Sequence, residues 1–533
     1  MSVFWADQKA EEIATKRRFQ YLDKEFDRQE YIVKTSASIS GVLHIGRLSD
    51  TIRGEAAVRA LRDMGKESQL IWVAEDMDPL RRIPEGVPKE FSEYIGCPVS
   101  NIPDPWGCHA SYAEHHTTDY LKVLYEFLSV EMKTYFMQEE YHKGNFRPYI
   151  QAMLNNLEKV IEIQNRYRDH PLGADWIPWT PICKNCGKII TPRAKIKAGM
   201  VHYKCEDYRF ESSTAKGCGY EGESDPLKSE GKLMWKGEWA AQWARWSIAA
   251  EGAGKEYIVP NSAWWINSEI AERILDYPSP TPIFYEHLMI EGHKMSASLG
   301  NVVYPRDWLA VAPPQVLRFF YNKKLMKTRN FSWRELPNLY DEYDFHAKLY
   351  FGGEKVENER EAEHMKRLYE ISQTHKVQAP VPLPFSHAAV VAQIYSDEES
   401  IVGSLKRSEH YEDEKHEAIM HRVESAKHWA EKYAPAEGRF SLEIDVEKVK
   451  AQLSNEQKTF LKELAVQLKR SRSAEEIHGQ LYKLAGEIGI PTKKSFQAVY
   501  LAMLGRTHGP KAGTLLASLG TSWATARLKE VVG

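Results

Sequence analysis

His44 stands between Gly41 and Gly46, where a strand-like run, EYIVKTSAS (30–38), gives way to a helix-compatible one, RLSDTIRGEAAVRALRDMG (47–65). Such a turn gathers free backbone N–H groups at the positive end of a helix dipole, which suits a phosphate. The glycines let a phosphate or a flat base approach the backbone with no Cβ in the way. His44 can donate a hydrogen bond to an anionic oxygen. Far along the chain, HKMSASLGN sets Lys294 beside Ser296 and Ser298, ahead of Gly300. That is a point cation on a flexible stem, flanked by hydroxyls and free N–H groups. Each element alone has a plainer reading, a helix cap for His44 and a solvated turn for Lys294. As a pair they have the order and spacing of one nucleotide site built from both ends of a split fold. No G-x-G-x-x-G follows the first strand, so the dinucleotide fingerprint is absent.

A second chemistry lies in the cysteines. Four of the six fall between 183 and 218, while Cys97 and Cys108 stand apart. The Cys183-x2-Cys186 spacing suits a zinc knuckle, and Cys205 and Cys218 complete four thiolates with no open position for catalysis. His202 is a spare candidate ligand, and the alternative is reduced thiols in a small core. A third set gathers at strand ends: Ser36 and Ser38 after the first strand, then Glu75, Asp76 and Asp78 in ESQLIWVAEDMDP. With Trp235 and Tyr257 they offer acids, hydroxyls and aromatic faces to a cation. Their alternatives are structural. Asp76 and Asp78 can cap a turn before Pro79, and Trp235, Trp239 and Trp243 recur at helical spacing, as core residues do.

The elements that must hold these residues follow from periodicity. Strand 30–38, the helix after His44 and strand 67–79 make a βαβ unit, hence a parallel sheet with its ligands at the strands' carboxyl ends. Residues 79–110 read as irregular and 112–170 as helical. HKVQAPVPLPF (375–385) reads as a break between helices. The last part reads as amphipathic helices: Ser454 and Ser473 open capping boxes, and Phe496, Val499, Tyr500, Met503 and Leu504 share a face that stops at Gly505. Residues 455–533 hold 12 Lys/Arg against 6 Asp/Glu in a chain of net charge −3. That asymmetry fits a polyanion partner or a well-solvated helical face. No apolar run approaches the ~20 residues of a membrane span, and MSVFWADQKAEEIATKRRF has no secretory core. A cytoplasmic protein without a membrane partner is expected.

His44-Ile45-Gly46-Arg47 and Lys294-Met295-Ser296-Ala297-Ser298 resemble the two signatures of class I aminoacyl-tRNA synthetases. With FWADQKAEEI, SASISGVLHIGRL, DMDPLRRIPEG, EGHKMSASLGNV and GEIGIPTKKSFQAVYLAMLGRTHGPKAG, the chain resembles class I lysyl-tRNA synthetases from near its start to its end. The resemblance implies ATP-dependent charging of tRNA(Lys) with L-lysine through a lysyl-adenylate, with Mg2+ accompanying ATP. By carry-over His44 and Lys294 are catalytic. Gly41, His44, Gly46, Lys294, Ser296 and Ser298 bind ATP. Ser36, Ser38, Glu75, Asp76, Asp78, Trp235 and Tyr257 face lysine, and Cys183, Cys186, Cys205 and Cys218 hold structural Zn2+. Arg47 and Ala297 depart from the signatures, and Ser36 and Tyr257 stand where relatives often have glycine and histidine. Those departures keep alternatives open: a silent paralogue that binds tRNA or an adenylate, or a ligase for another amino acid.

The implied fold is α/β: a Rossmann-type parallel-sheet catalytic domain with a zinc-binding insertion, then an all-α anticodon-binding domain. The expected division is 1–90 and 233–300 for the two halves of the catalytic domain, with 91–232 as the insertion that guides the tRNA acceptor end. Residues 301–375 form connecting helices and 376–533 the anticodon-binding domain. Phe496, Arg506 and His508 are its candidate base contacts, Phe496 fitting a core position as well.

Overall fold

The computed structural model describes residues 3–39, 41–84, 86–197, 199–295, 301–468 and 473–533. The chain divides into two compact units. The first comprises Met1–Arg306, Leu317–Phe331 and Glu357–Val377, and the second Asp307–Val316, Ser332–Val356 and Gln378–Gly533.

In the first unit, β1 (Tyr31–Ser38) leads through the turn at His44 into α1 (Ile45–Asp63) and back to β2 (Ser68–Glu75). Helix α2 (Tyr112–Leu124) precedes β3 (Met132–Phe136). An insertion carries β4 (Pro192–Lys197), β5 (Met200–Cys205) and β6 (Glu221–Ser224), paired antiparallel. Then come α3 (Trp235–Arg245), β7 (Ile248–Gly254), α4 (Ala263–Leu275) and β8 (Thr281–Tyr285). The main sheet is parallel throughout, in the order β8-β7-β1-β2-β3. Strand β2 reads SQLIWVAE and is buried at nearly every position, as a parallel strand covered on both faces must be. Helix α1 packs close because Gly54 has no side chain: a Cβ there would lie 2.5 Å from Thr35 Cγ2.

The parallel sheet agrees with the βαβ reading, but 112–170 is not one helical stretch. Met-Lys-Thr-Tyr-Phe forms the edge strand β3, paired with Leu70–Ala74 of β2. Five residues of β-favouring sequence inside a long apolar-periodic run leave a helical period visible, and tertiary pairing decides the outcome.

The second unit, among the described residues, is helical apart from short connections. Here α5 (Asn455–Gln467), α6 (Ala474–Ile488), α7 (Thr492–Leu504), α8 (Ala512–Leu519) and α9 (Thr521–Val532) share one core. Both capping boxes form: Ser454 with Gln457, and Ser473 with Glu476. Helices α6 and α7 stop at Gly489 (φ 76°) and Gly505 (φ 65°), a left-handed conformation that glycine adopts without a Cβ penalty. Phe496 packs on the rim of this core. The Arg506 guanidinium donates to the carbonyls of Ala436 and Glu437. Among the described residues, no helix is long and apolar enough to cross a membrane.

Candidate active site and metal centre

At the carboxyl ends of β1, β7 and β8 a cleft of about 460 Å³ opens. Ser36, His44, Gly46, Arg47, Asp50, Trp235, Trp239, Glu251, Gly252, Tyr257, Tyr285, Lys294 and Met295 are among the residues that line it. The structure thus brings Ser36, His44, Gly46, Lys294, Trp235 and Tyr257 to one cavity. Gly41 lies in the same turn as His44. Ser296 and Ser298, with Ala297 and Gly300, lie outside the described residues.

His44 is the N-cap of α1, and its Nδ1 accepts the Gly46 N–H at 3.1 Å. A nitrogen that accepts carries no proton, so the proton sits on Nε2 and the ring is a neutral donor. Burial, with Arg47 beside it, pushes the imidazole down to about 4 and keeps it neutral. A Cβ at Gly46 would stand 2.6 Å from Met295 Cε and 2.9 Å from the His44 ring, so a side chain there would push on both.

The floor of the cleft rests on Glu251. Its Oε1 takes the ammonium of the fully buried Lys34 at 2.6 Å. Its Oε2 accepts the indole N–H groups of Trp239 at 2.9 Å and Trp243 at 2.5 Å. Glu251 is therefore fully partnered. Asp50 is held more loosely: Oδ2 accepts the Ser36 N–H at 3.2 Å, and the Tyr285 hydroxyl stands close enough to help stabilise its carboxylate. Burial, with Glu251 nearby, pushes this carboxyl up to about 6. Around it stand Tyr285, Trp235 stacked on Trp239 (centroids 4.7 Å apart), and Tyr257 edge-on to Trp239 at 5.0 Å. A buried carboxylate among aromatic rings has the chemistry to hold a cation. Gly252 makes room for it, since a Cβ there would lie 2.0 Å from Asp50 Oδ1. Gly252→Ala is expected to cost about 1–3 kcal/mol through overpacking, read from urea unfolding; an unchanged midpoint would show that the contact does not constrain the chain.

Ser38, Glu75, Asp76 and Asp78 are not among the residues lining the cleft. They join a separate network at the ends of β1 and β2. Ser38 Oγ donates to Asp78 at 2.8 Å, and Lys232 bridges Asp78 at 3.1 Å and Glu238 at 3.0 Å. Gln242 donates to Glu75 at 3.1 Å, and the Gln138 N–H to Asp76 at 2.9 Å. Burial raises Glu75 to about 8 and Asp76 to about 7. Burial also opposes ionisation of Asp78, but Lys232 and Ser38 outweigh it and hold that group low. Asp50, Glu251, Lys34 and Gly252 escaped the sequence reading. Lys34 and Glu251 had one visible signal, a charge inside an otherwise apolar strand, which marks a buried pair or a site, whereas Asp50 and Gly252 had none.

In the insertion, the sulfurs of Cys183, Cys186, Cys205 and Cys218 all lie within 4.8 Å of one another. Cys183 and Cys218 are 3.6 Å apart, as are Cys186 and Cys205. Thiolates held about 2.3 Å from one tetrahedral zinc stand about 3.8 Å apart, so the donor set fits. Gly217 permits the fold-back, since a Cβ there would lie 2.4 Å from the Glu206 backbone. His202 faces Glu223 across β5 and β6 at 3.4 Å instead of joining the sulfurs.

The parallel sheet with its cleft at the strands' carboxyl ends is an α/β ligand-binding architecture. The family described as tRNA synthetases class I (K) matches residues 3–375, and the anticodon binding domain family matches residues 389–532. The chain is 33% identical over 545 residues to a lysine–tRNA ligase of Methanocaldococcus jannaschii, covering 98% of this chain and 99% of that one. It is 33% identical over 546 residues to that of Methanococcus maripaludis, covering 98% and 99%. For Thermococcus kodakarensis the figures are 32% over 546 residues, 99% and 99%. The chain belongs to the class I lysyl-tRNA synthetases.

Proposed function

We propose that this chain charges tRNA(Lys) with L-lysine. The lysine carboxylate attacks the α-phosphate of ATP and pyrophosphate leaves. The lysyl group then passes from the adenylate to a hydroxyl at the tRNA 3′ end, and AMP leaves. Family membership and similarity to lysine–tRNA ligases along the whole chain support this reading.

Charge builds on phosphate oxygens as the α-phosphate is attacked, so catalysis is positioning plus electrostatic stabilisation. His44 donates from Nε2, and Lys294 and Arg47 bring fixed positive charge to the same cleft. Arg47 offsets the cation that Ala297 lacks. The turn at Gly41 and Gly46 receives the nucleotide, with Ser296 and Ser298 as hydroxyl donors. Mg2+ neutralises phosphate charge when it accompanies ATP. The observation that carries the amino acid is the buried Asp50 carboxylate, which lines the cleft together with Ser36, Trp235 and Tyr257. It takes an ammonium and repels a carboxylate side chain. Ser38, Glu75, Asp76 and Asp78 act behind the cleft by fixing the strand ends.

Residues 1–90 and 233–300 serve as the two halves of the catalytic domain, and 91–232 as the acceptor-guiding insertion with structural Zn2+ on its four cysteines. Residues 301–375 connect, and 376–533 read the anticodon. The enzyme works in the cytoplasm.

ATP–pyrophosphate exchange with each of the twenty amino acids, with and without tRNA, tests the proposal. Exchange with lysine alone is expected. Exchange with a different amino acid would overturn the specificity, and bound tRNA with no exchange at all would overturn the activity.

A further inference from the structure

The stretch that follows the second signature reaches back to hold the first. Ile45, the first residue of α1, comes directly after His44. Its N–H donates to the Val303 carbonyl at 2.9 Å, and its carbonyl accepts the Tyr321 hydroxyl at 2.9 Å. A helix start leaves its first N–H groups without partners inside the helix, so the Val303 contact fills a need of any such turn. The Tyr321 contact does not, because a carbonyl in the first turn already serves the helix ladder. What the hydroxyl adds is a second constraint on the peptide beside His44.

Tyr321 is itself locked in place. Arg318 lies three residues earlier in the helix Pro314–Asn322 and pairs with Glu55 of α1. It also donates to the Phe127 carbonyl at 2.7 Å. Arg318, Tyr321 and Glu55 are fully buried. The Tyr321 ring has a further contact. The Arg53 guanidinium lies 5.4 Å from its centre and 4.6 Å from the centre of the Tyr285 ring. Arg53 is 1% exposed, and its Nε and Nη1 have no hydrogen-bond partner among the described residues. A buried charge with unfilled donors is costly, and an apolar side chain of similar volume is often at least as stabilising in such a place. The guanidinium instead supplies a planar cation that two ring faces can grip. Tyr285 ends β8, lines the cleft and helps to stabilise the Asp50 carboxylate.

We propose that Tyr321 is a positioning residue for both ends of the cleft. Its hydroxyl sets the turn that carries His44, and its ring sets Tyr285 through Arg53. Neither Tyr321 nor Arg53 is among the residues that line the cleft, so each acts through another side chain or peptide. Tyr321 thereby serves both ATP and lysine, a role that rests on the charging reaction proposed above.

The test is steady-state exchange with tRNA present, together with the Kd for ATP by calorimetry, on the full-length protein and three variants. Tyr321→Phe keeps the ring and removes the hydroxyl. It should lower kcat and weaken ATP binding by about 10-fold each, since a misplacement of about 1 Å can cost up to ~10²-fold. Its KM for lysine should stay that of the wild type. Arg53→Met removes the stacked cation and leaves the contact at Ile45. It should raise the KM for lysine by about 10-fold through the same loss of positioning and leave the Kd for ATP unchanged. Tyr321→Leu loses both contacts and should show both effects. A residue that only braced the fold would lower the Tm and leave the constants of the folded enzyme unchanged, and that result would overturn the proposal. So would Tyr321→Phe and Arg53→Met shifting the same constants. If Tyr321→Leu does not fold, the other two variants decide. Exchange of the wild type with lysine tests the charging reaction itself. If the wild type activates a different amino acid, the same ratios are taken with that one, and if it activates none, the Kd for ATP of Tyr321→Phe decides.

Discussion

His44→Ala is expected to lower lysine-dependent ATP–pyrophosphate exchange, run with tRNA present, by about 10²–10³-fold, the usual cost of losing one preorganised donor to a developing oxyanion. The substitution removes two things at once. One is the Nε2–H donor that faces the cleft. The other is the Nδ1 acceptor that caps the Gly46 N–H, a cap worth about 1 kcal/mol of stability. His44→Asn separates them, because asparagine caps a helix well but cannot place a donor where Nε2 stands. It should recover the melting temperature and not the exchange. Acid works in the same direction. The ring is neutral above about 4, so His44 should contribute no inflection to the rate between pH 6 and 9. Protonation below 4 would break the cap. Normal exchange in folded His44→Ala would remove the residue from the mechanism.

Asp50→Asn should raise the KM for lysine by about 10²-fold or more, since truncating one partner of a buried charge pair costs about 2–5 kcal/mol. The KM for ATP should move far less. The stability change has the opposite sign. The carboxyl is pushed up to about 6 in the folded chain, above its unfolded value of roughly 3.9. Its favourable contribution is then fully present below about 4 and lost as pH rises through 6. At pH 8 the folded protein holds an unwelcome buried anion, and asparagine relieves it. The variant should therefore melt higher than wild type at pH 8 and lose that advantage at pH 4. Wild-type lysine KM should climb as pH falls through 6, because the ionised form binds the ammonium, and the variant should lack that limb. A variant that is both less stable and equally selective would show Asp50 to be a structural acid.

Much of the scaffold was legible because its signals are local. Alternating and continuous apolar runs mark β1 and β2, a glycine-flanked turn joins β1 to α1, and Ser454 and Ser473 announce helix starts three residues ahead of Gln457 and Glu476. Strand β3 was hidden because five residues carry too little periodicity to interrupt the amphipathic pattern around them. The acids of the cleft were hidden for a different reason. Glu75, Asp76 and Asp78 cluster in the sequence and so attract attention, yet they end in a network with Lys232, Gln242 and the Gln138 backbone. Asp50 sits alone on a helix, and only the parallel pairing of β1 with β7 brings Gly252 and Glu251 opposite it. Spacing along the chain reports helix faces and strand faces, not which strand lies next to which.

That pairing also bears on how the protein is made. Ile32 pairs with Ile248, so residues 33–247 form a loop that must close before the sheet is whole. The entropy of closure grows only with the logarithm of loop length, but non-local pairing is slow. During synthesis β1 carries an unpaired edge until β7 leaves the ribosome, which is when a strand is most open to aggregation. The cysteine knuckle lies within that loop, and all four of its ligands are in the chain before β7 is made. Growth without zinc should therefore show first as insoluble chain, with the soluble fraction retaining its specific activity.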